Sequence, residues 1–127
     1  MKLQISRALV DQMIAHAAQS PHVEVCGILF GEREIVTSIE ACANVAEYPA
    51  TSFEIDPAAL IAAHKRARAG GARLIGCYHS HPGGDFALSR RDTASADEGQ
   101  IWVLIAGTQA GAWVMRDGRW AAFQQLT

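Results

Sequence analysis

The stretch "RLIGCYHSH", residues 73–81, is apolar along both faces of the strand its residues favour. A strand buried on both faces calls for cover on both sides, so helices have to pack around a central sheet. The segment just before it supplies one such helix: Asp56 caps it, Pro57 takes the first helical position, and Gly70-Gly71 closes it. Another fits between Ser6 and about Gln19, with Ser6 as N-cap and Leu9, Val10, Met13, Ile14 and Ala17 on one stripe. Ser20-Pro21 breaks it.

The remaining segments read mostly as strands. Lys2 to Ile5 alternates, "VEVCGILFG" (23–31) is a buried run with Glu24 at its entrance, and "EIVTSIEACANV" is a second strand candidate. "TSFEI" (51–55) reads as a short strand after the Tyr48-Pro49 loop, and 90–98 as a short helix. "QIWVLIAG" (100–107), "GAWVMRDG" (111–118) and "RWAAFQQL" (119–126) read as strands, the last two joined by the Asp117-Gly118 turn. Trp102, Trp113 and Trp120 lie in apolar strands and are expected in the core. With no repeats and no linker, 127 residues make one domain, 1–127, of α/β class.

Composition removes several functions. Half the residues are hydrophobic and the net charge is −2, so the basic surplus of a nucleic-acid binder is missing. Lys65-Arg66-Ala67-Arg68 is a local cluster that reads as the solvated face of a helix. No apolar run reaches the roughly 18 residues of a membrane span, and Met1-Lys2 leads into mixed sequence rather than a leader. Cys26, Cys42 and Cys77 are odd in number and lack a C-x-x-C pair, which suits small buried hydrophobes in a reduced compartment. A cytoplasmic protein without membrane or nucleic-acid partners is the expectation.

His79 and His81 stand two residues apart at the end of the apolar strand, so both imidazoles project from one face. Pro82 favours an extended backbone at His81, and a ten-residue gap lets the chain return with the carboxylate of Asp92. Two histidines and an aspartate would hold zinc with a fourth position left for water, the catalytic arrangement. Glu24, an acid in an apolar strand, is the candidate proton carrier, and Ser89 could donate to a developing oxyanion. Each element also has a plainer meaning. H-x-H often marks satisfied histidines at a strand end, Ser89-Arg90-Arg91-Asp92 matches a helix capping box, and Glu24 could be a salt-bridged strand-entry residue. A Cys77–His79 nucleophile pair has little room on a central strand.

In combination the elements resemble the JAMM (MPN+) zinc metallopeptidase family, in its stand-alone bacterial form. Glu24-Val25-Cys26-Gly27, His79-Ser80-His81-Pro82, six loop residues and Ser89-Arg90-Arg91-Asp92 appear in the family's order. The resemblance implies a single-domain, cytidine-deaminase-like α/β fold, a central mixed β-sheet flanked by helices. It implies one Zn2+ per chain on His79, His81 and Asp92, Glu24 as general acid/base, and Ser89 as oxyanion donor. It also implies a peptidase or isopeptidase cutting after the C-terminal Gly-Gly of a ubiquitin-like sulfur-carrier protein, to release an extension or an attached amino acid such as cysteine. The compact loop "GGDFAL" and the 35 residues after Asp92 leave no space for the insertions with which eukaryotic members grip two ubiquitins. Within that loop Asp85 is expected to face solvent and Phe86 to pack. A metal-free scaffold is the alternative from another class, although such members lose ligands that this chain keeps. A metallopeptidase acting on other peptides is the third reading.

Overall fold

The computed structural model describes residues 1–127. In chain order the elements are β1 (Lys2–Leu3), α1 (Arg7–Gln19), β2 (Cys26–Glu32), β3 (Ile35–Cys42), α2 (Pro57–Arg68), β4 (Arg73–Ser80), α3 (Arg90–Ser95), β5 (Ile101–Ala106), β6 (Gln109–Arg116), β7 (Arg119–Ala122) and β8 (Gln125–Leu126). Six strands form one sheet in the order β3-β2-β4-β5-β6-β7. The β4–β5 pair is parallel and every other pair is antiparallel, so the sheet is mixed, as expected.

Both helical caps act as the sequence indicates. The Ser6 hydroxyl accepts from the Leu9 N–H at 3.2 Å, and the Asp56 carboxylate accepts from the Ala58 N–H at 3.1 Å. Leu29 packs with Val10 and Met13 of α1 in the main core, whereas its neighbour Ile28 packs with Ala63 of α2. Because consecutive strand residues face opposite ways, the two helices cover opposite faces of the sheet. Between them β5 is buried along its whole length. Gly76 permits this tight centre: a Cβ there would lie 1.7 Å from the Ile101 carbonyl oxygen on β5.

A parallel pair cannot be joined by a tight turn, so the chain leaves the C-terminal end of β4 on a crossover that includes α3. This crossover returns Ser89 and Asp92 to that strand end.

Two strand expectations need correction. Residues 51–55 form no strand; only Ile55 makes an isolated bridge, to Asn44. The Asn44 amide oxygen takes the N–H groups of Ala46 (3.0 Å) and Glu54 (3.1 Å), doing locally what a ladder would otherwise do. The run 119–126 breaks after Ala122, where buried Phe123 donates its N–H to Ala112 O and the chain turns. Its last piece, β8, pairs in parallel with β1 and ties the termini together. The short helix ends at Ser95 rather than 98. Trp102 is buried, while Trp113 and Trp120 are half-buried. No helix is long and apolar enough to cross a membrane.

Candidate metal centre

Three segments converge at the C-terminal end of β4. Cys26 pairs with His79 across β2 and β4, and Val25 and Ser80 lock beyond it. The Val25 N–H donates to Ser80 Oγ at 2.9 Å and the Ser80 N–H to Val25 O at 3.1 Å. That register brings Glu24 up beside the two histidines. The third segment is the first turn of α3. There Ser89 Oγ accepts from the Asp92 N–H at 3.0 Å, while the Asp92 carboxylate accepts from the Ser89 N–H at 2.8 Å. The capping box is therefore real, and it aims Asp92 inward rather than competing with a site role.

His79 Nε2 and His81 Nε2 are 3.2 Å apart, and Asp92 Oδ2 lies 3.2 Å from the first and 3.4 Å from the second. A tetrahedral ion with bonds of about 2.0–2.1 Å spaces its ligands by about 3.3–3.4 Å, so the three atoms form one face of such a tetrahedron. A ring nitrogen of each histidine and a Glu24 carboxylate oxygen all fall within 4.8 Å of one another.

The tautomer supports the same fit. His81 Nδ1 lies 2.8 Å from the carbonyl oxygen of Asp85, an atom that can only accept, so the imidazole proton sits on Nδ1. In its neutral form His81 then presents a lone pair at Nε2 toward His79 and Asp92, the protonation that a divalent cation requires.

Burial and charge set the remaining groups. Burial lowers the His79 pKa, whereas hydrogen bonding with Asp92 raises that of His81. Burial alone would raise the Asp92 carboxyl, but its hydrogen bonds with both histidines outweigh this and hold it well below the usual carboxylate range. Glu24 is 5% exposed, and its Oε1 is buried without a hydrogen-bond partner. Burial pushes its pKa up to about 7, with His81 and Arg91 pulling down and Asp92 pushing further up. No cation pairs with it, so Glu24 is not a salt-bridged strand-entry residue.

Sequence reasoning missed the groups that support the centre. Phe53 stacks on His79 with ring centroids 4.5 Å apart and planes at 22°, and Trp102 meets the same imidazole edge-on at 5.5 Å. The Asn44 amide nitrogen donates to Glu24 O at 2.8 Å and to Ser52 O at 3.0 Å. Asp85 faces solvent as expected, but its backbone carbonyl orients His81. Phe86 packs edge-on against Trp113. Cys77 is buried, and burial raises its pKa well above the ordinary thiol value, which disfavours the thiolate that a nucleophile pair with His79 would need.

Residues 6–120 match the family described as prokaryotic homologs of the JAB domain. The chain belongs to that family. Among its relatives is a desampylase of Haloferax volcanii, 32% identical over 112 residues, covering 83% of this chain and 81% of the relative. Another is a probable TtuB-protein conjugate cleaving protease of Thermus thermophilus, 31% identical over 124 residues, covering 98% and 83%. A solved structure described as JAMM, a metalloprotease-like zinc site in the proteasome and signalosome, superposes over the full length of both chains with a TM-score of 0.61 at 14% identity. That likeness establishes the JAMM/MPN fold for this member of the JAB-domain family.

Proposed function

We propose that this chain, over residues 1–127, is a zinc-dependent peptidase of the isopeptidase type. Its substrate is the amide that follows the C-terminal Gly-Gly of a ubiquitin-like sulfur-carrier protein, and it releases a C-terminal extension or an attached amino acid such as cysteine. The observation that carries the reading is the triangle of His79 Nε2, His81 Nε2 and Asp92 Oδ2, with edges of 3.2, 3.2 and 3.4 Å, beside a buried carboxylic acid. The Thermus thermophilus relative, named for cleaving TtuB–protein conjugates, supports the choice of a conjugate as substrate.

His79, His81 and Asp92 would hold one Zn2+ per chain. When bound, the ion supplies Lewis acidity that lowers the pKa of a water toward about 7 and polarises the scissile carbonyl. Glu24, with a pKa of about 7, accepts a proton from the attacking water and delivers it to the departing amine. Asn44 fixes the backbone of Glu24 for both transfers. Ser89 Oγ already accepts from the Asp92 N–H, which leaves its own hydroxyl proton free to meet the developing oxyanion. Phe53 and Trp102 wall His79 from solvent and strengthen each local charge interaction. A Gly-Gly tail lies flat enough for a groove with no space for a Cβ, and an extended tail can be registered by backbone hydrogen bonds.

Intact-mass analysis of Gly-Gly carrier proteins bearing a short extension or an added cysteine tests this, with and without a zinc chelator. Release after Gly-Gly that stops on chelation is the expected result. Zinc-loaded protein that cuts none of these carriers refutes the substrate assignment.

A further inference from the structure

The two histidines proposed as ligands are held by different means. His81 donates its Nδ1–H to the Asp85 carbonyl, but the Nδ1 of His79 is buried with no hydrogen-bond partner. A ligating imidazole ordinarily gives that proton to a carboxylate or carbonyl oxygen, and the bond fixes both the tautomer and the plane of the ring. His79 is 0% exposed, so bulk solvent does not take the acceptor's place. Aromatic rings surround it instead. Phe53 lies nearly parallel to the imidazole, with centroids 4.5 Å apart and planes at 22°. Trp102 (5.5 Å, 81°) and His81 (4.9 Å, 71°) stand across it. Phe53 is itself braced by Trp102, at 5.4 Å and 63°, and follows the buried Ser52, whose hydroxyl donates to Tyr48 O at 3.0 Å.

We propose that Phe53 is a positioning residue of the metal centre: its ring, laid flat on the His79 imidazole, sets the plane that a hydrogen bond at Nδ1 would otherwise set. Nε2 of His79 is thereby kept aimed at His81 Nε2 and Asp92 Oδ2, 3.2 Å from each. The inference rests on the metal centre of the function proposed above and is independent of the choice of substrate. Turning the imidazole about its Cβ–Cγ bond carries it out of the parallel stack and drives its edge into the Phe53 face. The perpendicular rings of Trp102 and His81 close off the sides. A flat face is what this job needs, not apolar volume alone. Leucine would still exclude water, but its branched surface gives the imidazole nothing flat to lie on. Phe53 is half-buried and also lines a cleft of about 620 Å³ with Leu60 and Trp102, so a slightly larger ring has space beside it.

The test measures zinc affinity by competition with a calibrated chelator, in the full-length wild type and three variants. Phe53→Leu is expected to weaken zinc binding by about 10–100-fold, the usual cost of losing a group that orients a ligand. Phe53→Tyr keeps the ring and should stay within about twofold of the wild type. Leu60→Ala is the control, because Leu60 lines the same cleft but packs with Ile28, Phe30 and Ala63. It should unfold at lower urea concentration with zinc affinity unchanged. Cobalt in place of zinc gives a second readout: the visible absorption of Phe53→Leu should shift or broaden, while that of Phe53→Tyr matches the wild type. Wild-type zinc affinity and an unaltered cobalt spectrum in Phe53→Leu overturn the inference and leave the metal centre standing. Losses of equal size in Phe53→Leu and Phe53→Tyr overturn it as well, since the flat ring is then not what counts. A wild type that binds no zinc takes down the metal centre and this inference together.

Discussion

The imidazole of His81 is held by the backbone of Asp85, its Nδ1–H donating to the carbonyl oxygen at 2.8 Å. Because the partner is a main-chain atom, the geometry of the loop matters to the centre and the acidic side chain of Asp85 does not. The same loop closes with the Gly84 N–H donating to His81 O at 3.0 Å, and Gly84 sits at φ +81°. A Cβ at Gly84 meets no neighbour, so its cost is purely conformational. Asp85→Ala should therefore keep zinc affinity within about twofold, whereas Gly84→Ala should weaken it roughly tenfold, as outer-shell changes do. Competition with a calibrated chelator measures both, and equal affinities would remove the loop from any orienting role.

Glu24→Gln separates proton transfer from metal holding. The side chain keeps its size but loses its basicity, so turnover should fall by about 10²–10⁴-fold while bound zinc stays at one per chain. Near-normal turnover in this variant would remove Glu24 from the mechanism.

His81→Ala and Asp92→Ala each take one corner from the proposed ligand triangle. Both should lose zinc as well as activity. In the wild type, zinc at a hundredfold above its Kd should add about 2.7 kcal/mol to folding stability, an increase in Tm on the order of 10 °C. Calorimetry with and without chelator should show that increase in the wild type and none in either variant. A zinc-dependent Tm that persists in Asp92→Ala would mean that another carboxylate, Glu24 being the nearest, is the ligand.

The parts of the molecule written as local patterns could be read without coordinates. Ser6 and Asp56 announce their helices by capping chemistry, and His79 and His81 share a face because strand side chains alternate. Glu24, Asp92 and Ser89 were legible as candidates, and the capping box that gives Ser89 and Asp92 a second purpose was legible beside them. What could not be read depends on register and tertiary packing. Phe53 looked like one residue of a short strand because its flanks favour one, yet its ring stacks on an imidazole 26 positions away in the chain. Asn44 gave a weak signal, an Asn just ahead of a Tyr-Pro loop, with no hint of which backbone it would bind.

Asn44 yields the sharpest test of how the proposed general base, Glu24, is held. Its amide nitrogen bridges the carbonyls of Glu24 and Ser52, and its amide oxygen takes the N–H groups of Ala46 and Glu54. One side chain thus ties the entry of β2 to both ends of the 45–54 loop. Asn44→Ala leaves those backbone groups unpaired and should cost about 1–3 kcal/mol of stability. Since Asn44 touches neither the ligand atoms nor the Glu24 carboxylate, zinc content should survive and the loss should appear in kcat rather than KM. Asn44→Asp separates the two halves of the job, because its carboxylate can still accept from Ala46 and Glu54 but cannot donate to Glu24. If positioning of Glu24 matters, Asn44→Asp should recover only the part of the loop stability that its acceptor supplies, because a carboxylate oxygen then faces the Glu24 and Ser52 carbonyls, and it should recover no kcat. Recovery of kcat along with stability would make Asn44 a purely structural residue.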